Sequence, residues 1–306
     1  ETGNVSGSHK ARHLFGLALH LEVDGVPSTK PLAIASCGNA ALAAATVARA
    51  VGRPLVVQVP TWADDGVLGR LDDLGADVRV CERRADEAGD PCIHRFREMV
   101  ANGAVPFCCQ GTENLLTLDG GRTLGFELAA QWAAHGNSPT RILVQVGGGA
   151  LASSTVQALG DVVARGGPST RPGLVAVQHE GCAPLARAFN RVASADDPMA
   201  TLLLPDATSD DGSAMWPWTD PTSVATGLLD DVVYDWRALV NDMLLGPAPG
   251  GPVVATEADL VEAHRLVWAH TEVAADPTGT GGLAGLLAAR RDGCIDASEE
   301  VVILLT

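Results

Sequence analysis

Lysine is almost missing from this chain: Lys10 and Lys30 stand alone among 306 residues, against nineteen arginines. Acidic residues outnumber basic ones to give a formal net charge of −16, which leaves no basic face for a phosphate polymer or an anionic bilayer. Nucleic acid and membrane surfaces are therefore excluded as partners, and a small-molecule ligand is expected. No apolar run approaches the roughly 18 residues of a spanning helix, and the first residues carry no signal-peptide pattern, so a cytoplasmic location is expected. Cysteines number seven, at 37, 81, 92, 108, 109, 182 and 294. An odd count without regular spacing excludes a disulfide framework, and reduced, mostly buried thiols are expected. Cys108 and Cys109 end a strand-like run, where neighbours point to opposite faces, so they make no metal site. His9 and His13 are four apart but lack the glutamate and third ligand of a zinc helix, and no metal is expected.

What the chain does have is apolar residues, 46% of the total, enough for a large core. From residue 31 short β-rich runs alternate with helix-period segments, the pattern of a parallel sheet covered by helices. Strands are expected at 32–35, 55–59, 78–81, 105–108, 142–146, 174–177 and 301–305, the last as a buried strand. Helices are expected at 40–51, 64–74, 91–101, 122–134 and 151–165. Gly52, Gly75, Gly103 and Gly136 each follow a helix where a left-handed cap favours glycine. The fold class is α/β. Residues 110–121 are polar and glycine-containing and are expected to carry the chain from one domain to the other. Residues 192–222 read as a long surface excursion, with Trp216 and Trp218 either lining a pocket or plugging the loop against the core.

A chain that has otherwise abandoned lysine keeps Lys10 within Gly7-Ser8-His9-Lys10-Ala11-Arg12. An amine that can lose its proton can attack a carbonyl to form a Schiff base, and a guanidinium cannot. Two glycine-containing turns follow, each between a strand pattern and a helix pattern: Ser36-Cys37-Gly38-Asn39-Ala40 and Val146-Gly147-Gly148-Gly149-Ala150-Leu151. The amides of the second can converge on a phosphate with a helix dipole behind them. Taken alone it also fits dinucleotide binding, since Gly147, Gly149 and Ala152 have the spacing G-x-G-x-x-A and Glu180 follows the next strand.

Together with Asp276-Pro277-Thr278-Gly279, these segments in this order resemble the fold-type-II, tryptophan-synthase-β-like family of pyridoxal 5'-phosphate enzymes. The likeness covers nearly the whole chain and is nearest to the threonine synthase and serine/threonine dehydratase group. It implies two three-layer α/β domains with mostly parallel sheets and the cofactor in the cleft between them. The large domain would comprise 1–30 and 123–306, and the small inserted domain 31–122. Members usually have several dozen residues before the lysine, so an excerpt of a longer protein is expected.

The resemblance also implies roles. Lys10 would carry the cofactor and, once displaced by substrate, take the α-proton; a pKa depressed in a closed cleft would suit it to that task. His9 would lie near the phosphate, or else be an ordinary helix-surface histidine. Gly147, Gly148, Gly149, Ala150 and Leu151 would anchor the phosphate, with Ala150 where many relatives have a fourth glycine; a methyl there is harmless unless φ must be positive. Ser36, Cys37, Gly38, Asn39 and Ala40 would bind the substrate carboxylate, with Asn39 also on the ring 3'-oxygen. Thr278 would face the ring nitrogen, and Gly227, in Ser223-Val224-Ala225-Thr226-Gly227, would touch the cofactor. Asp119-Gly120-Gly121-Arg122-Thr123 resembles the family segment after the small domain.

Two residues depart from the pattern: dehydratases commonly have histidine where Ala40 stands, and serine racemase-like enzymes have a second serine where Cys37 stands. A neutral partner for the ring nitrogen favours elimination or replacement at the β or γ carbon over transamination or decarboxylation. The expected activity is a lyase eliminating from serine or threonine, in a homodimer acting on a small amino acid. A threonine synthase-like replacement enzyme stands as the alternative, with a nicotinamide-dependent oxidoreductase and a non-catalytic ligand-binding relative as weaker ones.

Overall fold

Strands buried on both faces read as near-continuous apolar runs; Leu32–Ala35 (β1) is one, and Leu55–Pro60 (β2) is another, broken only at Gln58. The computed structural model describes residues 1–85, 87, 90–167, 170–246 and 250–306. The chain forms two compact units, residues 3–121 and residues 1–2 with 122–306.

In the first unit β1 and β2 join Asp77–Cys81 (β3) and Val105–Pro106 (β4) in a parallel sheet of order β3-β2-β1-β4. Leu32 pairs with both Leu55 and Val105, which makes β1 a central strand. Helices Lys10–Val23 (α1), Asn39–Ala50 (α2), Asp65–Asp73 (α3) and Pro91–Ala101 (α4) complete this unit with the start of Thr117–His135 (α5), within which the division falls. Alanines 41, 43, 44, 45 and 48 of α2 are buried in one core with Leu14, Leu17 and Leu21 of α1 and Leu32 and Ile34 of β1. The sequence reading groups residues 1–30 with 123–306; in the structure α1 instead packs into the core of the first unit, because its buried face meets α2. Gln58, the one polar residue in β2, is buried and met by sulfur: its amide donates to Met99 Sδ at 3.1 Å and its oxygen accepts from Cys81 Sγ at 3.1 Å.

In the second unit Arg141–Gln145 (β5), Gly173–His179 (β6), Val253–Ala255 (β7) and Val301–Ile303 (β8) form a parallel sheet of order β7-β6-β5-β8. Alternation separates its two faces. Ile142, Val144, Leu174 and Ala176 pack with Ala150–Ala164 (α6), Pro184–Ala193 (α7) and Trp236–Leu245 (α9). Leu143, Val175 and Val177 pack with Glu257–His270 (α10) and Gly281–Arg291 (α11).

Several boundaries differ from those expected. Residues 117–121 of the presumed connector are the first turns of α5. The strand expected at 105–108 ends at Pro106, although Phe107 N still donates to Ala33 O at 2.8 Å, and Cys108 and Cys109 are both buried. β8 is half-buried and stops at Ile303, leaving Leu304 as the buried residue of that run. The excursion 192–222 contains one short helix, Pro198–Leu202 (α8). Trp216 and Trp218 clamp the Arg187 guanidinium, 3.7 and 5.2 Å from the two rings, and so secure the loop instead of lining a pocket. Gly52, Gly75, Gly103 and Gly136 all have positive φ, as their capping positions require. All seven thiols are free, five of them buried. No helix among the described residues is long and apolar enough to cross a membrane.

Two glycines in the first unit let α1 and α5 touch backbone to backbone. A Cβ on Gly16 would stand 2.6 Å from Gly120 Cα, and one on Gly120 would stand 2.9 Å from His13 Cα. Gly120→Ala is expected to lower the unfolding free energy by about 1–3 kcal/mol in urea titrations, the cost of overpacking. Gly69→Ala, in α3 where a Cβ would meet nothing within 4 Å, is expected to be neutral or stabilising.

Candidate active site

In open α/β sheets ligands gather beyond the carboxyl ends of the strands, where successive crossovers leave in opposite directions. Each sheet here has one such point. In the first unit the chain leaves β1 toward β2 while β4 lies on the other side, and in the second it leaves β5 toward β6 while β8 lies opposite. The segments Ser36–Ala40 and Gly147–Leu151 begin at these two strand ends.

In the first unit Ser36, Cys37 and Gly38 form the turn from β1 into α2, with Gly38 as N-cap and Asn39 as the first helical residue. Gly38 N donates to Ser36 Oγ at 3.4 Å, and a Cβ on Gly38 would meet nothing within 4 Å. Amides at the open end of α2 are suited to a carboxylate. Cys37 is half-buried, and burial raises its thiol pKa above the ordinary value. It is therefore a neutral thiol near pH 7 and a poor base.

Lys10 is the first residue of α1 and His9 its N-cap, so the two side chains share one helix start. Lys10 Nζ lies 3.4 Å from His9 Nε2. Burial first, and then the positive charge of Lys10, hold the His9 pKa well below the usual histidine value, so the ring is neutral. With Nε2 accepting from the amine, the ring proton sits on Nδ1, and Nδ1 is buried without a protein partner, as is Ser8 Oγ. Two buried donors beside a lysine need an acceptor that the protein does not supply, and a phosphate oxygen is one. His9 is thus a core-facing residue and not a helix-surface histidine. Cys109 shares these surroundings: burial pushes its thiol to about 11, opposed by the charge of Lys10.

In the second unit Gly147–Gly149 bridge β5 and α6. Gly149 caps α6 at φ +98°, where a side chain would be strained. Ala150 is already helical, so the methyl in place of a fourth glycine is tolerated. A Cβ on Gly147 would stand 2.5 Å from Gly227 O, one on Gly148 2.7 Å from the Tyr234 ring, and one on Gly149 2.9 Å from Val233 Cγ1. The backing of this loop by Asp230, Val233, Tyr234 and Asp235 was not read from the sequence; the single tyrosine of the chain was its one signal. Gly227 N donates to Thr278 Oγ1 at 3.1 Å. Because that hydroxyl accepts here, its own proton remains to donate to a further acceptor, such as an unprotonated ring nitrogen. The turn carrying Thr278 is closed by Gly279 N donating to Asp276 Oδ1 at 2.7 Å.

The second unit therefore brings Gly147–Gly149, Gly227 and Thr278 together, and the first places His9 and Lys10 at one helix start and Ser36–Ala40 at the end of β1. A bare-backbone loop at a helix start, orphaned buried donors beside a lysine and a hydroxyl with its proton unspent fit a phosphorylated pyridine aldehyde.

Comparisons with known proteins agree. The family model described as pyridoxal-phosphate dependent enzyme matches residues 1–306. Threonine synthase of Methanocaldococcus jannaschii is 23% identical over 311 aligned residues, covering 100% of this chain and 68% of the relative. Cysteate synthase of Methanospirillum hungatei is 25% identical over 99% of this chain and 66% of its own length, and the match to bovine L-serine dehydratase/L-threonine deaminase, 28% identical, covers 53% of this chain and 46% of that protein. The chain thus spans two thirds or less of most of these relatives. Among solved structures, a fungal L-serine ammonia-lyase from Rhizomucor miehei has a TM-score of 0.72 at 20% identity, covering 100% of this chain and 86% of that one. Maize serine racemase has a TM-score of 0.73 at 17% identity, covering 98% and 78%.

One carboxyl oxygen beside the glycine loop has no partner among the described residues. Asp235 Oδ2 is buried alone, and burial raises the carboxyl pKa to about 6. A raised acid pKa means that the folded state holds the proton longer than the unfolded one, so stability falls as pH rises from about 4 to about 6 and is flat above. Asp235→Asn is expected to remove roughly 3 kcal/mol of that pH dependence, measured as the difference between the wild-type and variant urea stabilities at pH 4 and pH 7.

Proposed function

The chain belongs to the family of pyridoxal-phosphate-dependent enzymes, and from that premise we propose that it is a lyase eliminating water and ammonia from a small hydroxy amino acid of the serine/threonine type. The observation that carries this reading is the Thr278 hydroxyl, which accepts from Gly227 N and so has its own proton to give to an acceptor such as a ring nitrogen. A neutral hydroxyl there withdraws less charge than a carboxylate-held pyridinium, which favours departure of a β-substituent over transamination.

When bound, the cofactor supplies an electron sink for the α carbon of the substrate. Lys10 Nζ would hold it covalently and, as a free amine, would take the α-proton of the substrate. Gly147, Gly148, Gly149, Ala150 and Leu151 would hold the phosphate through the start of α6, with His9 Nδ1 as a further donor. Gly227 closes against the loop and bonds the Thr278 hydroxyl. Ser36, Cys37, Gly38, Asn39 and Ala40 would orient the substrate carboxylate through the start of α2, and Asn39 would also hold the ring oxygen. The neutral Cys37 thiol disfavours a second proton transfer from the opposite face, and so disfavours racemisation.

A second reading, a threonine synthase-like replacement reaction, is favoured by the alignment of the whole of this chain with 68% of an enzyme of that name and by Ala40 in place of the dehydratase histidine. We further propose a homodimer in the cytoplasm.

Borohydride treatment of the protein purified with pyridoxal phosphate is expected to fix a pyridoxyl group on the peptide carrying Lys10, located by mass spectrometry, and Lys10→Ala is expected to abolish it while leaving the fold intact. A folded wild-type protein that binds no pyridoxal phosphate would overturn the assignment of these residues. Incubation with L-serine or L-threonine is expected to release a 2-oxo acid and ammonia in equal amounts. Inorganic phosphate released from O-phosphohomoserine, without ammonia from either hydroxy amino acid, would instead establish the second reading.

A further inference from the structure

The Ser223–Gly227 segment reaches the Thr278 hydroxyl, and one carboxylate outside the cofactor site gathers that segment. Glu257 is the first residue of α10, directly after the Thr256 N-cap. Its Oε1 accepts from Val224 N at 2.8 Å, and its Oε2 accepts from Ser223 Oγ at 2.9 Å. Ser223 Oγ in turn accepts from Ala225 N at 3.1 Å. The same Oε2 lies 2.8 Å from Nε2 of His179, a buried residue at the end of β6. Gly181 N donates to His179 Nδ1 at 2.9 Å, which leaves Nε2 as the ring nitrogen nearest Glu257, buried and close to the carboxylate without hydrogen-bond geometry to it. A bond from Glu257 N to Glu180 Oε1, 3.2 Å, ties the helix start to the residue after His179.

The chain continues from this clamp without slack. Ala225 is buried, the single 3-10 turn Thr226–Leu228 follows, and Gly227 N reaches Thr278 Oγ1. The same glycine lies under Thr278 Cγ2, where a Cβ on Gly227 would stand 2.7 Å away, and its carbonyl backs Gly147. A charged acceptor that binds two loop donors is worth more than the neutral turn bonds of the loop itself. The carboxylate therefore holds the segment that leads to Gly227 N, and the bond from Gly227 N restricts the directions open to the Thr278 proton.

We propose that Glu257, acting through its hydrogen bonds from Ser223 and Val224, is a positioning residue that aims the Thr278 hydroxyl at the ring of the bound cofactor. This rests on the reading above that Thr278 meets the ring nitrogen. Glu257 touches neither cofactor nor substrate; its effect passes through two backbone segments and one hydrogen bond.

The test is a double-mutant cycle with Glu257→Ala, Thr278→Ala and the pair, reading the dissociation constant of pyridoxal phosphate and the absorption band of the bound cofactor, beside the melting temperature of each apo protein. Glu257→Ala is expected to weaken cofactor binding about tenfold, as loss of a charged acceptor does, and to shift the band in the same direction as Thr278→Ala. Because both act on one contact, the pair is expected to bind no more than about threefold more weakly than Thr278→Ala alone. Glu257→Gln keeps the Val224 bond and is expected to fall between wild type and Glu257→Ala; it carries the comparison if the alanine variant does not fold. Unchanged affinity and band in the Glu257 variants, or effects that simply add in the pair, would overturn the proposal while leaving Thr278 in place. An inert Thr278→Ala would overturn both.

Discussion

A phosphate can be held without a basic side chain only if backbone amides approach it directly, and that requires a stretch of chain with no side chains in the way. Gly147, Gly148 and Gly149 supply it at the end of β5, and much of the second unit is shaped around them. Gly227 O, the Tyr234 ring and Val233 occupy the three positions where side chains would stand, Tyr234 N donates to Gly148 O at 2.9 Å, and α6 starts at once behind the loop. The acidity of the chain is compatible with an anionic cofactor for this reason. In the proposed assignment its anion would be met by dipoles of the fold and not by net charge.

Sheet topology explains why the functional segments fall where they do. Both units place a central strand between a neighbour that follows it in sequence and one that arrives much later, and the cleft this opens at the strand end is floored by a turn and a helix start. Ser36–Ala40 and Gly147–Leu151 are the floors of the two clefts. Two unrelated stretches of sequence thus converge on the same local solution, a small-residue turn leading into a helix. His9 and Lys10 also stand at a helix start, but there side chains and not amides are offered, beside the α1 packing that Gly16 and Gly120 permit.

Much of this was legible in the sequence, and the rest was hidden for identifiable reasons. The strands β1, β2, β5 and β6 announce themselves because both faces are buried and every residue is apolar or nearly so. β7 escaped, being three residues long and exposed at Val254. α11 escaped because its sheet-facing positions are Gly282 and Gly285, whose missing side chains admit Ile303 and Val177; a helix seated this closely loses the apolar stripe by which helices are recognised. α10 carries a legible start, since Thr256 and Asp259 form a reciprocal capping box, but its apolar positions are interrupted. The motif residues Lys10, Asn39, Gly147–Gly149 and Thr278 could be named from spacing and resemblance. Their partners Asp230, Tyr234, Asp235 and Glu257 could not, because hydrogen bonds between distant segments leave no periodicity.

The tyrosine that covers Gly148 is the only one in the chain. Fluorine introduced biosynthetically into tyrosine would therefore enter at a single place, against the phosphate loop, and give one resonance in a protein of this size. Occupancy of the anchoring loop is thereby open to direct observation by nuclear magnetic resonance, independent of the colour of any cofactor and of turnover. The scarcity of one residue type, otherwise a compositional accident, makes the least chemically reactive part of the site its most observable one.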